Sequence, residues 1–222
     1  MPPQRVGIRV EDTELDGVLH LPDAAAVGGA AVLHGFGGHP DQPHIVATCE
    51  ALANAGVAAL RFAYRDHRPP RMTLATGLAD AAGAIRVLKA HPDVPERLGV
   101  VGFSFGGTVA ALVAGRDSRI RAAVLAAAPA AAGPNFTAWS NDGTWKPVAE
   151  LSRTRARVLL VWGSRDSQVP FENAERYAAV LSQARVPNKI VTIEGADHDF
   201  SPAGPRAKMT ETIASWVRET LA

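Results

Sequence analysis

Hydrophobic and polar positions follow two rhythms along the chain. Val6, Ile8 and Val10 recur at every second residue, and after a polar turn Leu19 and Leu21 resume the same step. That alternation predicts an N-terminal β-hairpin. Six apolar runs follow: Ala30 to Leu33, Val57 to Ala63, Leu98 to Val101, Ala122 to Ala127, Val158 to Trp162 and Ile190 to Ile193. A strand with one wet face alternates, whereas a strand covered on both faces does not, so these runs predict a parallel sheet. Between them, apolar residues recur at steps of three and four. Leu74, Leu78, Ala81, Ile85 and Leu88 form one such stripe, and Phe171, Ala174, Ala178 and Leu181 a second. Met209, Ile213, Trp216, Val217 and Leu221 form a third, and each predicts an amphipathic helix. Strands alternating with helices in this order predict a doubly wound, mostly parallel α/β sheet with an N-terminal hairpin. No linker or repeat divides residues 1–222, so one domain is expected.

Composition narrows the function. With 47% hydrophobic and 20% charged residues, the chain has the make-up of an ordinary folded core. A net charge of +1 supplies no field for nucleic acid or an anionic membrane. Cys49 is the single cysteine, which excludes an internal disulfide and C-x-x-C metal spacings. The first residues, Met1 to Val10, lack the apolar segment of a secretory signal. The longest charge-free stretch, Ala122 to Asn141, is interrupted by Pro129, Gly133, Pro134 and Asn135 and reads as a buried strand and a loop. A cytoplasmic protein, monomer or homodimer, is expected. It needs no cofactor, and no metal site is expected from His34, His39 and His44. Phosphate-binding motifs are also missing, since Ser104 to Thr108 lacks the P-loop lysine.

Ligand sites in doubly wound sheets lie beyond the carboxyl ends of the strands. After the Leu98 to Val101 run comes Gly102-Phe103-Ser104-Phe105-Gly106-Gly107, followed by an apolar helical pattern. This is G-x-S-x-G in a strand-turn-helix context, a turn so tight that a side chain on either glycine would crowd the serine. A serine hydroxyl needs a base, and the base needs an acid to orient it. His198, in the loop after the last strand, is the candidate base. Asp166, in the loop after the preceding strand, is the candidate acid, with a helix-capping role as its structural alternative and Asp142 as its rival. The first long strand ends in His34-Gly35-Phe36-Gly37-Gly38. The backbone N–H groups of Phe36 and Phe105 are the expected oxyanion donors, with both rings flooring an acyl pocket and His34 structural.

These strings resemble the α/β-hydrolase superfamily over essentially the whole chain, and within it the small capless serine hydrolases similar to dienelactone hydrolase. The resemblance implies Ser104 as nucleophile, Asp166 as acid, His198 as base, and Phe36 with Phe105 as the oxyanion hole. It further implies a carboxylesterase-like reaction on a small-molecule ester. A thioesterase or acyltransferase with the same triad is the alternative, as is a non-enzymatic binding module on the same scaffold. The chain departs from the pattern in three places. Tyr64 to Arg71 replaces an Arg-Gly-x-Gly string with a basic loop, which either greets an anionic substrate or is merely solvated. The dienelactone hydrolases themselves use cysteine where this chain has Ser104. Only about 29 residues, Pro129 to Arg157, occupy the place where larger relatives insert a cap domain. Trp139 and Trp145 in that segment are the candidate substrate-contacting aromatics.

Overall fold

The computed structural model describes residues 1–65, 72–131 and 145–222. Its single eight-stranded sheet contains β1 (Gln4–Val10), β2 (Thr13–His20), β3 (Gly28–Leu33), β4 (Val57–Phe62), β5 (Leu98–Phe103), β6 (Ile120–Ala126), β7 (Arg157–Gly163) and β8 (Asn188–Ile193). The spatial order is β1-β2-β4-β3-β5-β6-β7-β8. β1 pairs antiparallel with β2 and β2 antiparallel with β4, and all the other neighbours are parallel. This is the mixed sheet expected from the hairpin followed by apolar runs.

Strands β3, β4 and β5 are buried at every residue and β6 and β7 at all but one, yet they still alternate, sending successive side chains to two cores. In β3, Ala31 and Leu33 face one core, and Ala30 and Val32 the other. In β7, Val158, Leu160 and Trp162 oppose Leu159 and Val161 in the same way. Helices α2 (Leu74–Ala90), α3 (Phe105–Arg116), α4 (Pro147–Leu151) and α5 (Glu172–Gln183) cover the first face. Helices α1 (Pro43–Asn54) and α6 (Ala203–Leu221) cover the second through Ile45, Cys49, Leu52, Met209, Ile213 and Val217. Each such side chain, fully buried, contributes about 1.5–3 kcal/mol.

Three expectations change. Phe171 is 39% exposed and precedes α5, whose buried stripe is Ala174, Tyr177 and Leu181. β8 is only partly buried because it is the sheet's outer strand. Arg65 is not offered to a ligand: its Nε donates to the buried Asp80 carboxylate at 2.7 Å, and Nη1 donates to Glu11 at 2.8 Å. The rest of the basic loop, residues 66–71, lies outside the described residues, as do Asp142 and Trp139. Among the described residues, no helix is long and apolar enough to cross a membrane.

After β3 the chain steps to β4 on one side and then crosses to β5 on the other. The register sets Leu33 beside Gly102 and Gly163 beside Ile193. The loops leaving β3 and β5 are therefore neighbours, as are those leaving β7 and β8.

Candidate active site

Ser104 lies between β5 and α3 with φ 53° and ψ −119°, a conformation that costs a non-glycine residue on the order of 1–3 kcal/mol. The strain is held by its surroundings. Its N–H donates to the Ala126 carbonyl of β6 at 2.8 Å, and its own carbonyl accepts from Gly107 and Thr108 at 2.9 and 3.1 Å. A Cβ on Gly102 would fall 2.0 Å from the Gly106 carbonyl oxygen, and one on Gly106 would fall 2.4 Å from that of Leu33. The turn therefore tolerates no side chain at either position.

The loop after β3 lies directly against this elbow. A Cβ built on Gly35 would sit 3.4 Å from Ser104 Cβ. The loop closes as a turn in which Gly38 N–H donates to the Gly35 carbonyl at 3.1 Å. His34 is buried behind it, with Nδ1–H donating to the same carbonyl at 2.8 Å, and its ring meets Tyr64 edge-on at 4.7 Å. That is a structural position.

The acid and base loops are tied together before their side chains meet. Ser164 N–H donates to the Ile193 carbonyl at 3.0 Å, Arg165 N–H to Ala196 at 2.9 Å, and Gly195 N–H to Ser164 Oγ at 2.8 Å. Asp166 is almost completely buried, and its Oδ1 accepts the N–H groups of Gln168 and Val169, both at 2.9 Å. Its Oδ2 accepts from His198 Nδ1–H at 2.9 Å. Asp166 thus closes its own turn and is not the cap of α5, which begins after Phe171 without a side-chain cap. With Nδ1 holding the proton against a carboxylate, Nε2 is the ring nitrogen left to act as a base. Phe200 anchors the His198 loop. It is fully buried, and its ring lies edge-on to Phe103 at 6.1 Å.

A cleft of about 640 Å³ brings these parts together, lined by Ser104 and His198, the Gly35 to Gly38 backbone and Phe36. Its other walls are Gln42, His44, Phe103, Val169 and Asp199, with Ser167 and Gln168. Sequence reasoning missed Gln42, His44 and Phe103, and it misjudged Phe105. Phe105 opens α3, so its N–H belongs to the helix N-terminus beside Ser104, but its ring is fully buried against Tyr64 and Phe36. The aromatic that lines the cleft is Phe103, one residue before the nucleophile. Trp145 also lies elsewhere: the Arg116 guanidinium sits 4.8 Å over its ring, at the opposite end of α3 from Ser104. Among the described residues, no group of three or more His, Cys, Asp or Glu is placed to hold a metal.

A sequence model of the dienelactone hydrolase family matches residues 15–220. The chain belongs to that family. Among proteins similar to this dienelactone hydrolase family member, the uncharacterized peptidase YuxL of Bacillus subtilis is 27% identical over 157 residues, covering 60% of this chain and 24% of YuxL. The chain thus spans about a quarter of that relative's length. Among solved structures, Est1E from Butyrivibrio proteoclasticus with bound ferulic acid superposes with a TM-score of 0.83 at 22% identity, covering 97% of this chain and 99% of that one. Dienelactone hydrolase from Anabaena variabilis gives a TM-score of 0.81 at 23% identity over the whole of both chains. At these identities the superpositions establish the α/β-hydrolase fold.

Proposed function

We propose that this family member is a serine hydrolase that cleaves esters of small molecules through an acyl-enzyme. The observation that carries the reading is a shared cleft. It holds a serine strained into the open and a histidine whose second nitrogen is bound by a buried carboxylate.

Ser104 Oγ attacks the ester carbonyl carbon while His198 Nε2 takes its proton. The oxygen of the tetrahedral intermediate accepts from the N–H groups of Phe36 and Phe105, the second of these at a helix N-terminus where negative charge is favoured. Asp166 keeps the proton of the imidazole on Nδ1 and stabilises its positive charge. Collapse breaks the bond to the alcohol oxygen, which leaves with the proton from His198. Water then attacks the acyl-enzyme, giving a proton to His198. Release of the acid returns that proton to Ser104. Because the base must be unprotonated, the rate falls on acidification.

A fluorophosphonate probe followed by mass spectrometry tests the reading. Adduct on Ser104 alone, absent in Ser104→Ala, supports an activated nucleophile, and an ester and thioester panel then separates the two leaving groups. A folded protein that takes up no probe contradicts the proposal and favours a binding module.

A further inference from the structure

Two titratable side chains of the cleft, His44 and Asp199, have no part in the steps above. His44 sits in the first turn of α1, six residues beyond Gly38, and is only 5% exposed while lining the cleft. Its backbone carbonyl accepts from Thr48 Oγ1 at 2.7 Å, and its ring packs on Phe103 at 5.0 Å with the planes 60° apart. Neither ring nitrogen is hydrogen-bonded to a described residue, and neither is sealed away from the cleft. A polar group in such a position is satisfied by solvent in the free protein and is open to a polar group of a bound molecule.

We propose that His44 is a substrate-binding residue whose imidazole hydrogen-bonds a hydroxyl group carried by the leaving alcohol. The assignment rests on the serine-hydrolase reading of the cleft. Burial lowers the pKa of His44 to about 4, an effect only partly opposed by Asp199, so the ring is neutral at physiological pH. A neutral imidazole offers one donor and one acceptor, the same pair that a hydroxyl group offers in return. The alcohol side follows from the mechanism: His198 must protonate the departing oxygen, and His44 lines the same cleft as His198 and Ser104. Gln42 and Gln168 add uncharged polar groups to the same cleft. The substrate class is therefore an ester of a polyol or other hydroxylated alcohol.

The test compares 3-hydroxypropyl and butyl esters of one short acid, leaving groups of nearly equal size that differ by a hydroxyl. The wild-type protein should prefer the hydroxylated ester about five- to tenfold in kcat/KM, mostly through KM, as expected for one neutral hydrogen bond. His44→Phe, which keeps an aromatic ring on Phe103, should abolish the preference, and His44→Gln should restore part of it. Equal rates on the two esters with the wild-type protein, or a preference that survives His44→Phe, would overturn the assignment. Fluorophosphonate labelling of Ser104 in the same preparations separates the two failures. Labelling without the preference removes only the role of His44, whereas loss of labelling in the wild-type protein removes the hydrolase reading beneath it.

Discussion

Asp166 shows how much one side chain is asked to do. Oδ1 is committed to two backbone N–H groups and Oδ2 to the imidazole, so the carboxylate is oriented by its own loop before the histidine arrives. Asp166→Asn keeps the shape but can present an amide N–H to His198, which stabilises the tautomer with Nε2 protonated and useless as a base. The expected result is a fall in kcat of about 10³–10⁴-fold with little change in KM. Steady-state kinetics on any ester the protein turns over will check it. A loss of only a few-fold would mean that Asp166 serves the turn and not the chemistry. Ser104 carries the opposite arrangement. Its backbone carries the strain, which β6 and α3 hold in place.

At the scale of elements, much of the architecture could be read from the residues. The parallel strands β3 to β7 are almost wholly apolar because both faces are covered, and the G-x-S-x-G string stands where a strand passes into a helix. Other features were hidden for physical reasons. α1 sets buried His44 and Thr48 among Ile45, Cys49 and Leu52, and the mixed stripe blurs its helical period. The ring of Phe105 is buried because the turn that exposes Ser104 sends the next residue towards α2, and no spacing rule reveals that. Trp145 leads into α4, which docks on the far end of α3. Arg61 was hidden inside an apolar run, yet it joins the sheet to the loop between β3 and α1. From β4 its Nε donates to His20 Nε2 and its Nη1 to the Pro40 carbonyl, both at 3.1 Å, and it also pairs with Asp41. Arg61→Met leaves a buried carbonyl and a buried imidazole without this donor, at a cost of about 1–3 kcal/mol. Urea denaturation should register that loss, and kcat should fall further than stability alone accounts for because Phe36 rides on the same loop.

Across the whole molecule, acid sensitivity should come in part from two buried histidines. Burial lowers the pKa values of His44 and His20 to about 4, with Arg61 adding to the effect at His20. In the unfolded chain each returns to about 6.5. The unfolded state therefore binds protons that the native state refuses between those values. The stabilising contribution is complete above about pH 6.5 and shrinks as pH falls towards 4, by up to about 1.4 kcal/mol per pH unit for each histidine. Denaturation curves at pH 7, 5.5 and 4.5 should show this slope, and His44→Phe should make it shallower. If the variant and the wild-type protein lose stability in parallel, His44 does not contribute. The adjacency of the loops leaving β3, β5, β7 and β8 has a further consequence, in time as well as in space. Residues 36, 104, 166 and 198 are far apart along the chain and meet only when the parallel crossovers are in place, which are contacts of high sequence separation and slow to form. A growing or refolding chain can thus complete its hairpin and several helices while having no catalytic capacity at all. Activity would return late, as a signal that the last strand has found the sheet's edge.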